Sequence, residues 1–265
     1  MNINSKLVTF AQEELVLTRN DIERNNINKS LCYLETMLKN KLGSDIKEFI
    51  RFGSFTRNTI LPRKYDSQSD VDLMVVFNAK QQKYTPGTYR RRLSDVVSAT
   101  YPNSISKKDF PVIKLELHHI MFDIVPAYCE EPFWLCNSRS YYIPSKNDSW
   151  QSTIPNDINK ELSDKNQQCG NNIIRNTIRL CKYWNASAGY PFESYLMEKQ
   201  IIDLSFWSNC NTYERFLKTL EDIAGDRVSV RRALEYIQRY KGNIFTLPNE
   251  QKQFEWLQKL LPGLK

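Results

Sequence analysis

Long apolar runs are absent from this 265-residue sequence, although 41% of its residues are hydrophobic and 12% are aromatic. A membrane-spanning helix needs about 20 consecutive apolar residues, so we expect no segment to cross a bilayer. The first residues, MNINSKLVTFAQEELVLTRNDIER, alternate charged and apolar side chains and lack the apolar stretch of a secretory signal. The sequence therefore predicts a cytoplasmic protein that can bury one sizeable core or two joined lobes.

Zinc-binding motifs are also absent. The six cysteines are scattered without a C-x-x-C pair, and the two histidines are the adjacent His118 and His119. This spacing provides no zinc site, and thiols in a chain without a secretion signal are expected to be reduced. We expect the histidine pair to have a structural role in the turn after VIKLEL.

Positive charge exceeds negative charge, with 37 Lys and Arg against 30 Asp and Glu and a formal net charge of +7. A basic balance suits a protein that handles polyanions, but it does not separate nucleoside triphosphates from nucleic acid. The basic clusters at 90–92 and 227–241 are interpreted as solvated helix faces. We expect that nucleic acid is not required for function.

Three aspartates occupy positions that can bring them together. Asp70 and Asp72 begin the apolar run in SDVDLMVVF, and Asp123 lies inside a second apolar run, IMFDIVPAY. Side chains alternate faces along a strand, so Asp70 and Asp72 share a face while Val71 points into the core. Converging carboxylates repel one another unless a divalent cation lies among them. The pattern predicts a two-ion Mg²⁺ or Mn²⁺ site suited to nucleotidyl transfer.

A Gly-Ser turn precedes the first aspartate pair. Gly53 lets the backbone approach a phosphate closely, and Ser54 with nearby backbone N–H groups can donate to it. Arg57 lies on the helix that follows. Together, GSFTRNT, SDVDLMVVF and FDIVPAY resemble the catalytic core of the DNA polymerase β-like nucleotidyltransferases. The chain is similar to the branch that holds the oligoadenylate synthases, the animal cyclic GMP-AMP synthase and the bacterial CD-NTases of CBASS antiphage systems.

A second group of candidate ligands follows in the C-terminal half. The helical pattern around LCKYWN places Arg175, Arg179 and Lys182 on one face, opposite an apolar stripe. LCKYWN and PFESYLMEKQ resemble the K-W-N and S-Y-x-x-E segments of the CD-NTases. This resemblance implies that Lys182 and Ser194 hold the donor β- and γ-phosphates and that Tyr195 stacks on the base. The alternatives are a solvated basic stripe and a core tyrosine.

The periodicity predicts an α+β fold. Helical spacing runs from about residue 5 to residue 42 and ends at Gly43, and in the resembling family this long helix braces both lobes. The remaining elements of the first half are four strands and one helix, at 46–52, 71–77, 112–117, 121–125 and 88–101.

The second half becomes helical after the polar connector IPSKNDSWQSTIPND. Candidate helices lie at 171–185, 192–209, 213–223, 228–240 and 251–260. We therefore predict an N-terminal helix with a polymerase β-like nucleotidyltransferase palm at 1–142 and a helical lobe at 143–265. The active site is expected in the cleft between them.

The resemblance covers nearly the whole chain, with two departures. The loop ILPRKYDSQS is longer than in many relatives and is expected either to contact the acceptor nucleotide or to regulate metal binding. The Cys/His-rich insertion by which the animal cyclic GMP-AMP synthase recognises DNA is missing. Control through such an insertion is therefore not expected.

The resemblance implies a metal-dependent nucleotidyltransferase that makes a cyclic di- or trinucleotide second messenger from nucleoside triphosphates. In antiphage signalling of the CBASS type, such a messenger acts through a separate effector protein. One alternative is a templateless transferase that makes linear oligonucleotides or modifies RNA ends. Another is a catalytically silent nucleotide-binding or nucleic-acid-binding module, against which the three intact aspartates argue.

Overall fold

The computed structural model describes residues 2–18, 21–78, 84–130, 139–170, 172–206, 210–242 and 247–265. These residues form two compact units. The first, called the helical unit below, is built from Met1–Val16, Asn58–Ser67 and Ile158–Lys265. The second, called the sheet unit, is built from Leu17–Arg57 and Gln68–Asp157. This division differs from the predicted boundary after residue 142, because two N-terminal segments pack with the C-terminal helices.

The sheet unit contains a mixed sheet. Within the described residues its strands are β1 Ile46–Phe52, β2 Asp70–Phe77, β3 Ile105–Asp109, β4 Val112–Glu116, β5 Met121–Glu130, β6 Ser140–Pro144 and β7 Trp150–Thr153. Their order is β1-β2-β5-β4-β3, with β6 paired to β5 and β7 paired to β6. The β2–β5 pair is parallel and the other pairs are antiparallel. The predicted α+β class is confirmed.

The helices are divided between the two units. The described residues include α1 Ile3–Thr9, α2 Ile22–Leu42, α3 Gly53–Arg57, α4 Pro86–Thr100, α5 Asn159–Cys169, α6 Ile173–Ser187, α7 Ser194–Asp203, α8 Thr212–Ala224, α9 Val228–Tyr240 and α10 Glu250–Leu260. The helices from α2 to α4 belong to the sheet unit, and the others belong to the helical unit. The end of the helix predicted at 192–209 falls partly outside the described residues.

The predicted helix over residues 5–42 is interrupted. A π-helical turn, Phe10–Glu14, follows α1, and α2 begins only at Ile22. The side chain of Asp21 accepts a hydrogen bond from the backbone N–H of Glu23 at 2.8 Å, which caps the start of α2. Leu15 and Leu17 lie in the chain between the two helices and are buried. They continue the apolar spacing across the break, which is why the spacing predicts one long helix.

The predicted polar connector contains most of the β6–β7 hairpin instead. The ring of Tyr142 stacks on that of Tyr128 with centroids 4.8 Å apart, and Trp150 meets Tyr128 edge-on at the same distance. These aromatic contacts are distant in sequence and add to sheet pairing. Local composition does not reveal them, so the polar residues of this segment predict a loop.

The helical unit packs around α6, which contacts α5, α7, α8 and the π-helical turn. The polar loop at 58–67 joins this core: Leu61 is fully buried, and the Tyr65 ring packs edge-on against Phe10 and Tyr183. The loop is therefore anchored to the helical unit.

Three further features of the described residues concern membrane-spanning length, the cysteines and the histidine turn. The described part of the chain has no apolar helix of membrane-spanning length. Five cysteines are free thiols, and Cys136 lies outside the described residues. His119 Nε2 lies 2.9 Å from the Ser30 hydroxyl on α2, which supports a structural role for the histidine turn.

Candidate functional site

The three aspartates lie on one face of the sheet. Strands β2 and β5 run parallel with Asp72 directly opposite Asp123 and with Asp70 opposite Met121. Residues that oppose one another on paired strands project to the same face, and residues two apart on a strand do so as well. The register thus brings the carboxylates of Asp70, Asp72 and Asp123 to the same surface.

Asp123 is the most perturbed of these carboxylates. Burial, and to a smaller extent the negative charge of Asp70, raise its pKa to about 7. Among the described residues, its buried Oδ1 atom has no hydrogen-bond donor. An orphaned carboxylate oxygen beside other carboxylates fits a cation. Among the described residues, no group of three or more His, Cys, Asp or Glu side chains is placed so that it could hold a metal ion, and the metal site therefore stays a prediction.

A cation that the sequence analysis missed lies beside this group. Lys114 on β4 is directly opposite Asp123 and therefore shares the carboxylate face. Its ammonium group is 3.0 Å from the carboxylate of Asp109, and this hydrogen bond is the main cause of its raised pKa. The short turn between β4 and β5 sets the register that places Lys114 opposite Asp123. The sequence predicts this hairpin, so its register was the available signal for Lys114.

Gly53 contacts the carboxylate pair directly. Its backbone has a φ of 73°, and a Cβ atom at this position would lie 1.7 Å from Oδ2 of Asp72. Both observations require glycine. The Gly-Ser turn is therefore packed against one of the predicted metal ligands. Ser54 and Arg57 follow it and are both buried.

Helix α6 does not have the predicted basic face opposite an apolar face. All residues from 176 to 185 are buried, because other elements cover the helix on several sides. The guanidinium of Arg179 donates to the carbonyl oxygen of Asn58 from Nε at 3.1 Å and from Nη2 at 2.8 Å, and to Oδ1 of Asn176 at 3.1 Å. Burial lowers its pKa to about 10.

Lys182 forms a buried ion pair. Its Nζ atom is 3.1 Å from Oε1 of Glu198, and the two side chains are 6% and 1% exposed. The hydroxyl of Thr59 lies 3.0 Å from each oxygen of the same carboxylate. Glu198 thus offsets the charge of Lys182. The position of Glu198 in the S-Y-x-x-E segment was the sequence signal for this residue.

The other predicted ligands of the helical unit are more accessible. Arg175 is half-buried and donates from Nη2 to the Ser163 hydroxyl at 3.1 Å. Ser194 is the first residue of α7, and Tyr195 is 36% exposed. Tyr195 is therefore not a core residue. These ligands belong to the helical unit and the aspartates to the sheet unit, and the cleft stays a prediction.

A mixed sheet with a Gly-Ser turn after its first strand and aspartates on two parallel strands defines the polymerase β-like nucleotidyltransferase fold. Comparison with known families gives a narrower assignment. The model of the Second Messenger Oligonucleotide or Dinucleotide Synthetase domain matches residues 1–166, and the chain belongs to this family.

Individual relatives agree with this assignment. A probable cyclic nucleotide synthase of Bacillus cereus strain VD146 is 30% identical over 190 residues, which are 59% of this chain and 55% of that protein. The match thus spans about half the length of this curated relative.

Solved structures support the fold over the whole chain. CdnC of E. coli MS115-1 with ATP matches with a TM-score of 0.66 at 15% identity, over 99% of this chain and 98% of that one. The Vibrio cholerae DncV cyclic AMP-GMP synthase, in complex with a linear intermediate, matches with a TM-score of 0.71 at 10% identity, over 98% and 95%.

Proposed function

We propose that this protein is a metal-dependent nucleotidyltransferase that joins nucleoside triphosphates into a cyclic di- or trinucleotide. The observation that carries the proposal is the β2–β5 register, which sets Asp72 opposite Asp123 with Asp70 on the same face. The family assignment supports the same reaction, as do the cyclic nucleotide synthases to which the chain is similar.

The three aspartates are proposed to hold two Mg²⁺ or Mn²⁺ ions, with Asp70 and Asp72 shared between the ions and Asp123 at the one nearer the acceptor hydroxyl. When bound, such ions stabilise the attacking and leaving oxygens of an in-line displacement at phosphorus. The unsatisfied Oδ1 atom of Asp123 supports this ligand set. Gly53 seats the turn against Asp72, and Ser54 donates to the donor phosphates.

In the helical unit, Lys182 and Ser194 are proposed to bind the β- and γ-phosphates, and Tyr195 to stack on the donor base. The exposure of Tyr195 supports stacking. Arg175 adds positive charge. The contacts of Arg179 favour an indirect role, because its guanidinium already holds the carbonyl of Asn58, the residue after Arg57.

The biological setting is proposed on the same basis. A cyclic product acts as a second messenger in antiphage signalling of the CBASS type, through a separate effector protein, in the cytoplasm. Nucleic acid is not required, because the proposed substrates are nucleotides. A transferase that makes linear products is the second candidate, since the same carboxylates serve both reactions.

The test is incubation of purified protein with labelled ATP, GTP, CTP and UTP and Mg²⁺ or Mn²⁺, followed by phosphatase treatment and mass spectrometry. A phosphatase-resistant product of cyclic mass is expected. The matched control is the double variant Asp70→Asn and Asp72→Asn, which keeps side-chain size and removes charge. Linear products with phosphatase-sensitive ends would favour the second candidate, and equal nucleotide consumption by the double variant would refute the assignment of the aspartates.

A further inference from the structure

Asn156 has an unusual backbone conformation in the loop that follows β7. Its φ is 62°, which lies in the left-handed region. This region is uncommon for residues other than glycine, although asparagine and aspartate adopt it more readily than most. Asn156 is half-buried and belongs to the sheet unit.

The side-chain amide of Asn156 links both sides of the Gly-Ser turn. Its Nδ2 atom donates to the carbonyl oxygen of Arg51, near the end of β1, at 3.1 Å. Its Oδ1 atom accepts from the Thr56 hydroxyl at 2.8 Å, on the first turn of α3. The carbonyl of Arg51 can only accept, so the amide nitrogen must face Arg51 and the oxygen must face Thr56.

Thr56 extends this link into the turn itself. Its Oγ1 atom is also 2.9 Å from the carbonyl oxygen of Gly53, so one hydroxyl proton is placed between two acceptors. Helix α3 spans only the five residues Gly53–Arg57, and so short a helix cannot hold its own conformation. The orientation of the turn therefore depends on contacts from outside it.

The same turn also contacts the side chain of Asp72. A Cβ atom on Gly53 would overlap the carboxylate of Asp72, so the backbone of Gly53 and that side chain are in direct contact. A small displacement of the turn would consequently displace Asp72. Asn156 and Asp72 thus both restrain the turn.

We propose that Asn156 is a positioning residue for the nucleotidyl transfer reaction. Its amide holds Arg51 and Thr56 so that the Gly-Ser turn presents Ser54 to the donor triphosphate and keeps Asp72 in place. The catalytic consequence rests on the proposed function, whereas the effect on the turn is independent of it.

The test compares Asn156→Gly with Asp148→Gly. Glycine accepts the left-handed conformation, so Asn156→Gly removes both hydrogen bonds without adding backbone strain. Asp148 is the matched control, because it has a φ of 51° in the same unit and its side chain accepts one hydrogen bond, from the N–H of Gly87 at 2.7 Å. Amide hydrogen exchange and triphosphate turnover are measured for both variants, together with Tm.

In Asn156→Gly, we expect the amides of residues 53–57 to exchange about tenfold faster than in the wild type, because local opening becomes easier. We expect kcat/KM for the triphosphate to fall by about tenfold or more, since small displacements of positioning groups are costly. Tm should change no more than in Asp148→Gly. In a Thr56→Val background the same substitution should have a smaller effect, because the two residues act together.

Other results would overturn either the inference about Asn156 or the proposed function. Wild-type exchange at the turn, or wild-type kcat/KM in an active enzyme, would overturn the inference. A large fall in Tm with faster exchange throughout the sheet unit would make Asn156 a general structural residue and would also overturn it. If the wild type transfers no nucleotide while Asn156→Gly still loosens the turn, the proposed function fails and the positioning of the turn stands.

Discussion

At the level of single residues, the immediate surroundings of Gly53 and Asp123 constrain both residues. Gly53 has both a left-handed backbone and a carboxylate oxygen where its Cβ would lie. Asp123 has a buried oxygen without a donor among the described residues and a raised pKa. Both features concentrate on the face that carries the aspartates, which is where perturbed groups are expected in an active site.

Replacing Gly53 by Ala should inactivate the protein more than it destabilises it. Alanine in the left-handed region costs about 1–2 kcal/mol, and the new Cβ also forces Asp72 to move. We expect turnover to fall by about 100-fold or more. Gly170→Ala is the control, because Gly170 has a φ of 72° and no atom within 4 Å of the added Cβ. Equal turnover in both variants would show that the contact with Asp72 is unimportant.

The pH dependence of stability should report the burial of Asp123. Its pKa is about 7 in the folded protein, and an aspartate in an unfolded chain titrates near 4. Between these values the folded state binds more protons, so the free energy of unfolding without metal should fall as pH rises through this window. Asp123→Asn should remove that part of the slope. Urea denaturation in EDTA across this range measures it, and parallel curves for the two proteins would contradict the assignment.

At the level of elements, two helices differ from the sequence prediction. A basic residue every third or fourth position predicted an exposed face on α6, but its neighbours cover that face and provide acceptors for Arg179. The apolar spacing that predicted one N-terminal helix continues through a break into α2. On α6, packing from other helices overrode the local pattern, whereas Asp21 caps the start of α2 locally.

Arg179→Ala should destabilise the helical unit strongly. The substitution leaves the carbonyl of Asn58 without two of its donors and opens space in a buried site, at a cost of about 3 kcal/mol. Arg175→Ala is the matched control on the same helix, since Arg175 is half-buried and its hydrogen bond to Ser163 is exposed. We expect that change to cost less than about 1 kcal/mol. Urea denaturation separates the two, and similar losses would argue against a supporting role for Arg179.

At the level of the whole molecule, charge and composition are compatible with nucleotides or nucleic acid as ligands. The net charge of +7 does not choose between them. Arg231, Arg232 and Arg239 are exposed on α9, and Arg239 packs over the ring of Tyr236 at 5.0 Å. Their exposure agrees with a solvated surface.

We expect product formation without added DNA or RNA. Reversing the charges of Arg231 and Arg232 to Glu should change the rate by less than about threefold, because a surface that binds no phosphates contributes no counterion release. The measurement is turnover with and without nucleic acid at several salt concentrations. A strict requirement for nucleic acid that disappears on charge reversal would instead make α9 a sensor surface.

The sequence by itself determined the two strands that carry the aspartates, and it predicts the chemistry of their shared face. Alternation in SDVDLMVVF and IMFDIVPAY is a local property, so β2, β5 and the faces of their aspartates could be predicted from neighbouring residues. Only the tertiary structure decided which partners Asn156 and Glu198 have. These partners lie from 16 to 139 positions away, and such contacts form when packing brings distant segments together. The local periodicity of the sequence does not predict such contacts.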